Sequence, residues 1–502
     1  MNARFQKGLR GLLAAVALIP CSLLLAATPS QTNDYQQWLQ QTRTDYQSYL
    51  DKNDRAFLTF LNQRWKNVEV EPAQQRDPEP KPDQIPIAPP TDTPEQPTAD
   101  NQPAEPTSPI PSPEQAPPVP VPPPRIAIVP PEQLPTSANT VQLAFYGRTL
   151  SLDIPEGFDS TFSGRPDNKT IAAYWQQLAS TPHQSLVSAL KTAAADWQLN
   201  DWATALLFNQ FAHALHNDPD SQVLSCWFLL VKAGFDARVA YDQQIHLLLP
   251  AQEALYGVTY FELDHQRYYA LQPGEQPLGI GTVKTYQGAH ELGTRPIGFA
   301  DPYRFIPGGA QETRTVSFNW QGQQQDLKVS YPADYSDYLA TYPQLALPGY
   351  FQAGLPATTA NQLLEQLRPR LARLNDRQSK INYLLRLVQT GFRYETDAEQ
   401  FHSENYLFPL ETLHYPYSDC EDRAALFGWL AKQLLDADVL IVELPGHVAT
   451  AIAMNATDTA ITGSGWLFEG KRYLVADPTY INADLGMMMP RYQGQTPTLK
   501  KF

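Results

Sequence analysis

From Asp34 to about Val70, apolar side chains recur at three- and four-residue spacings, among them Tyr35, Trp38, Leu39, Tyr46, Leu50, Phe57, Leu61 and Trp65, with no proline or glycine between them. The spacing predicts an amphipathic helix over 33–70 whose aromatic stripe is a docking face or short coiled coil, a place for an envelope protein partner. Ahead of it, Arg4, Lys7 and Arg10 precede an apolar run over 11–27. Basic residues, then an apolar stretch, then small residues make a secretory signal over 1–27, which implies export to the periplasm or cell envelope. The leader is either cleaved after Ala27 or kept as a membrane tether, though a run this short with Pro20 inside it is marginal as a spanning helix. Pro20 directly before Cys21 does not fit a lipoprotein signal.

After residue 70 the pattern changes. Half of the 46 prolines fall between Pro72 and Pro135, mixed with Glu, Gln, Asp and Lys. Such a segment favours polyproline II and has too little apolar surface to bury, so 71–136 is expected to be a disordered Pro-rich linker. Beyond it the periodicities of helix and strand return, and they do so twice. Gly234-Phe235-Asp236-Ala237 matches Leu434-Leu435-Asp436-Ala437, each after an apolar helical run. Gln266-Arg267-Tyr268 matches Lys471-Arg472-Tyr473, and Tyr286-Gln287-Gly288 matches Tyr492-Gln493-Gly494. Upstream, Leu152-Asp153-Ile154-Pro155 matches Val329-Ser330-Tyr331-Pro332, behind Gly147 and Gly322. The fold class expected is α+β, as two copies of one module over 140–290 and 310–502.

Composition narrows the function. A net charge of −15, from 37 basic and 52 acidic side chains with no Lys/Arg run, argues against nucleic acid as a partner. Three cysteines, one of them in the leader, do not make a disulfide scaffold.

The second copy carries the chemistry. Ser418-Asp419 can cap a helix that opens with Cys420, where unpaired N–H groups and the dipole favour a thiolate, although Glu421 and Asp422 oppose it. Pro445-Gly446 is a turn, so His447 opens a strand. If that strand pairs antiparallel with the one ending at Asp477, His447 and Asp477 become neighbours. Nucleophile, base and a carboxylate orienting the base are what acyl transfer through a thioester requires. Each residue also has a plain structural reading: a small buried cysteine, a strand histidine, a turn-forming aspartate before Pro478.

The run from Phe392-Arg393-Tyr394 through Ser418-Asp419-Cys420, Pro445-Gly446-His447 and Ala476-Asp477-Pro478 resembles the transglutaminase-like superfamily, in its bacterial branch of predicted cysteine peptidases, over about residues 376–490. The resemblance implies a papain-like α+β core, Cys420 as nucleophile, His447 as general base and acid, and Asp477 as its orienter. It also implies amide or ester chemistry on a protein or peptide substrate, with no metal or organic cofactor. Gln400 is the candidate oxyanion donor beside the Cys420 N–H; its alternative is a surface loop glutamine.

In the first copy Asp220 stands opposite Cys420, His246 or Leu247 opposite His447, and Gln272 opposite Asp477, so that module reads as degenerate. Cys226 falls opposite the apolar Leu426 and reads as core. His213 and His216, without a third ligand, do not make a metal site. The competing reading of the whole protein is a tethered pair of binding modules without catalysis.

Overall fold

The structure is a computed structural model and describes residues 52–76, 81–89, 140–275, 279–288, 290, 292–455, 458 and 460–502. The chain divides into two compact units, 1–55 and 56–502. The second is an α+β body in which helices cover two larger antiparallel sheets. The leader and most of the expected helix lie outside the described residues, as do 77–80 and 90–136 of the expected linker. Among the described residues no helix is long and apolar enough to cross a membrane.

Both larger sheets have one strand order. In the C-terminal half Val439–Leu444 lies between His447–Ala453 and Thr498–Lys500, followed outward from His447–Ala453 by Lys471–Ala476 and Gly465–Phe468. In the N-terminal half Arg238–Tyr241 lies between Ile245–Pro250 and Val283–Thr285, followed outward by Gln266–Ala270 and Tyr260–Leu263. Each sheet follows a long buried helix, Cys420–Leu435 or Pro219–Lys232. Each half also opens with a hairpin whose two-residue turn is left-handed throughout: Tyr146 and Gly147 at φ 42° and 75°, Gln321 and Gly322 at φ 50° and 75°. That backbone matches the strands' right-handed twist, and glycine is the residue that adopts it without strain. The Tyr-Gln-Gly match is less regular. Tyr286 follows its strand, whereas Tyr492 precedes Thr498–Lys500.

Two expectations are corrected here. The helix expected to run to residue 70 ends at 61, and Lys66–Val68 is a strand paired with Val283–Thr285. Val68 and Val70 pack against the apolar cluster on that face of the sheet, so strand pairing and burial of β-branched side chains override the helical spacing. Phe57, Leu61 and Trp65 are core residues rather than a docking stripe, with the Phe57 ring edge-on to Trp175 at 4.7 Å. The Pro-rich stretch is likewise not a spacer throughout. Glu71 bridges to Tyr260, Arg76 lies 3.1 Å from the centre of the Tyr406 ring and donates to Leu345 O at 2.6 Å, and Ile87 bridges to Ile481. A proline-rich chain that cannot build a core of its own is here held on one already built.

Replacing Phe57 by Ala should destabilise the protein by about 3–5 kcal/mol, the cost of a large aromatic cavity. An unfolding free energy from chemical denaturation within about 1 kcal/mol of wild type would show the segment to be peripheral.

Candidate active site

The helix Cys420–Leu435 is buried over its first three turns, so its N-terminus lies inside the protein. Asp422 secures that end, accepting from the Asp419 N–H at 3.2 Å and from the Leu407 N–H at 2.8 Å. Arg423 is fully buried; its Nε donates to Ser418 Oγ at 3.2 Å, its Nη2 to Phe392 O at 2.9 Å, and its guanidinium faces the Tyr394 ring. Burial lowers the Arg423 pKa to about 10, against the pull of the Tyr394, Asp419 and Asp422 groups beside it.

His447–Ala453 pairs antiparallel with Lys471–Ala476, with Thr450 opposite Ala476, and this brings the next residue, Asp477, to His447. His447 Nε2 donates to Asp477 Oδ2 at 2.9 Å. The other oxygen of Asp477 accepts from the Thr479 and Tyr480 N–H groups at 2.9 and 3.2 Å, and Gln389 donates to the Asp477 carbonyl at 3.0 Å. The imidazole stacks on Tyr492 with ring centres 5.0 Å apart and planes 10° from parallel. With Nε2–H given to the carboxylate, Nδ1 carries the lone pair; it is buried and has no hydrogen-bond partner.

Cys420, the first residue of the helix Cys420–Leu435, is wholly buried against the start of the His447–Ala453 strand. Its Sγ accepts from the Val448 N–H at 3.3 Å and donates to Glu421 Oε2 at 3.1 Å. Burial and the carboxylates of Glu421 and Asp419 push the thiol well above its ordinary range, against the opposing pull of the Lys81 ammonium and the Val448 N–H. This arrangement opposes the thiolate that the helix start favours. Desolvation and two acidic neighbours outweigh the dipole.

Gln400 lies in the short helix Asp397–Phe401, buried rather than in a surface loop, and its Nε2 has no partner. Asp397 of that helix approaches Asp419 and Asp422, the three carboxylate oxygens lying within 4.8 Å of one another, so the helix adjoins the Cys420 turn.

Sequence reasoning missed Lys81. From the Pro-rich stretch its ammonium reaches Asp419 Oδ2 at 2.8 Å, Glu404 Oε1 at 2.9 Å and Asp397 Oδ2 at 3.5 Å, and it also contacts Glu421. Burial alone would lower its pKa; Asp419, Glu421 and Asp397 outweigh that and hold it well above its ordinary value. One ammonium does not keep every carboxyl ionised. Burial and Glu421 lift Asp419 to about 8 despite Lys81, and burial lifts Asp397 and Asp422 as well. Nothing in a lysine between prolines points to Cys420, whereas Tyr492 belonged to a repeated motif and could have been singled out.

The first half departs from this arrangement. Asp220 Oδ1 accepts from the Ile245 N–H at 2.9 Å, as Cys420 does from Val448. His246 pairs with Asp242 at 3.0 Å, and Gln272 with Glu275 at 2.8 Å, so the two do not meet. The sheet register corrects one expected correspondence and keeps the other. Pro250 faces Tyr268 as Ala453 faces Tyr473, which sets Ile245 at the place of Val448, as the Asp220 bond also does, Gln244 at that of His447 instead of His246 or Leu247, and Gln272 at that of Asp477. His213 pairs with Glu275, whereas His216 pairs with Ser225. Cys226 is fully buried, and burial pushes its thiol up. A cleft of about 420 Å³ between Asn67, Asp167, Tyr241 and Lys284 shares no residue with the Cys420 site.

Comparison of the chain with known protein families, with curated proteins and with solved structures finds no match.

The raised Asp419 pKa has a definite sign. Between about pH 4, where an unfolded aspartate titrates, and about pH 8 the folded state holds a proton that the unfolded state has released. Its stabilising contribution is complete below that window and is lost as pH rises through it, by up to ~1.4 kcal/mol per pH unit. Asp419→Asn should flatten urea stability measured from pH 5 to 8, leaving the contributions of Asp397 and Asp422, which have the same sign. An unchanged slope would place the proton elsewhere.

Proposed function

We propose that this protein is an exported, cysteine-dependent amide hydrolase or acyl transferase of the transglutaminase-like kind, with an active C-terminal module and a degenerate N-terminal one. The observation that carries the reading is a buried histidine held through Nε2 by a buried carboxylate, its Nδ1 unpartnered, while the N–H of the next residue lies on the cysteine sulfur. The shared strand order supports a duplicated module, and Asp220, Gln244 and Gln272 at the triad positions support loss of chemistry in the first.

In this mechanism the Cys420 proton passes to His447 Nδ1 and the thiolate attacks an amide or ester carbonyl. The oxyanion is held by the Cys420 N–H and Gln400 Nε2. Imidazolium, stabilised by Asp477, returns the proton to the departing amine or alcohol, leaving a thioester on Cys420. Water, with its proton taken by His447, releases a carboxylic acid; an amine releases a new amide. The leader supports a substrate among envelope proteins or peptides.

A second reading, a pair of binding modules without catalysis, is favoured by one observation: the thiol pairs with Glu421 and not with His447. Intact-mass spectrometry with a small activated ester separates the two, on the full chain and its Lys81→Ala variant. Acylation at Cys420 is expected, lost in Cys420→Ala and slowed about 10²–10⁴-fold in His447→Ala, with Cys226→Ser unaffected. No acylation of either chain, or equal acylation without His447, would leave the binding reading.

A further inference from the structure

The described part of the Pro-rich stretch, 81–89, is fastened at both ends of the proposed triad. At one end Lys81 sits among Asp397, Asp419, Glu421 and Glu404. Glu421 is shared, one oxygen on the ammonium and the other on the Cys420 thiol, so the lysine is one carboxylate away from the sulfur. At the other end the Ala88 N–H donates to Ile481 O at 2.7 Å, four residues beyond Asp477. Pro82, Pro86 and Pro89 keep the intervening chain from turning helical.

Arg423 lies beside Asp419 and Asp422, but the cation in contact with Asp397, Asp419 and Glu421 is Lys81, from outside the C-terminal half. Asp397, Asp419 and Glu421 are at most 2 % exposed, and Arg423, on the same helix, is held by Ser418, Phe392 O and the Tyr394 ring. Carboxyl groups so deeply buried need a counter-ion or a proton. Among the further buried polar atoms of this site without a hydrogen-bond partner are Asp419 Oδ1, Gln400 Nε2 and His447 Nδ1. Native proteins rarely leave such groups unmatched, and at a site they suit the carbonyl and amide groups of a bound chain.

We propose that the acidic recess beside Cys420 is a binding site for an extended, proline-interrupted peptide bearing a lysine-type ammonium, that residues 81–89 occupy it in cis, and that Cys420 is closed off until this strap is displaced. The inference rests on the reading of Cys420 as the nucleophile. Peptide and strap compete for one recess, so the chain that opens Cys420 is one that supplies its own ammonium.

The test is the rate of iodoacetamide alkylation of Cys420 in the full chain with Cys226→Ser, with and without Lys81→Ala. Access and electrostatics act in opposite directions here. Losing the ammonium makes the thiol harder to ionise, so faster labelling reports opening of the strap. Labelling should accelerate about tenfold or more, as for a buried group freed from local opening. Added synthetic peptide of residues 81–89 should restore the slow rate, and its Lys81→Ala version should not. An unchanged rate in a chain that still melts cooperatively, or slowing by both peptides alike, overturns the proposal. If Lys81→Ala does not fold, Ala88→Pro, which removes the N–H donated to Ile481 and keeps the ammonium, reads the same quantities. Failure of the parent reading looks different: Lys81→Ala still opens the thiol, but adding His447→Ala leaves its reactivity unchanged.

Discussion

A single ammonium set among buried carboxyl groups governs the state of this site. Asp397, Asp419, Glu421 and Asp422 are all withdrawn from water around the helix turn that bears Cys420, and burial with mutual repulsion raises Asp397, Asp419 and Asp422. Lys81 offsets part of that charge, and protonation of Asp419 near neutral pH offsets more. The thiol is the third member of the balance. Its hydrogen bond goes to Glu421, and burial together with that carboxylate opposes its ionisation. Reactivity of Cys420 is thus tied to whatever cation occupies the recess, through Glu421, which touches both.

The frame around this balance is tied down by hydrogen bonds. The helix start is anchored by Asp422 and Arg423, and Asp477 is held through both carboxylate oxygens and its carbonyl. His447 is fixed by Asp477 on one nitrogen and by the Tyr492 face on its ring. The N-terminal half keeps the same strand order without this apparatus. There Asp220 bonds to the neighbouring strand as Cys420 does, yet the other two places hold Gln244 and Gln272, which are neither a base nor a carboxylate. Geometry of this kind is retained by backbone pairing alone, whereas the chemistry depends on individual side chains.

How much was legible in the sequence differs from residue to residue. The pairing of His447 with Asp477 could be foreseen because a strand that opens at a Pro-Gly turn and a strand that ends at a proline leave few registers. The depth of Gln400 was not legible, since a short polar segment looks alike on a surface and against a neighbouring helix. The helix expected to reach residue 70 failed for a related reason. Spacing registers a helix wherever apolar residues fall three or four apart, but Val68 and Val70 gain more by joining a sheet edge formed some 215 residues later in the chain.

The sequence by itself determined the α+β class, the helix start bearing Cys420 and the strands bearing His447 and Asp477, because these depend on short-range periodicity, caps and turn residues. Tertiary structure alone decided that a proline-flanked lysine more than 300 residues upstream lies among the carboxyl groups beside Cys420, and that the thiol there donates to Glu421. Charge pairing in a buried recess depends on distance in space and on exclusion of water, and neither quantity is written in the local order of residues.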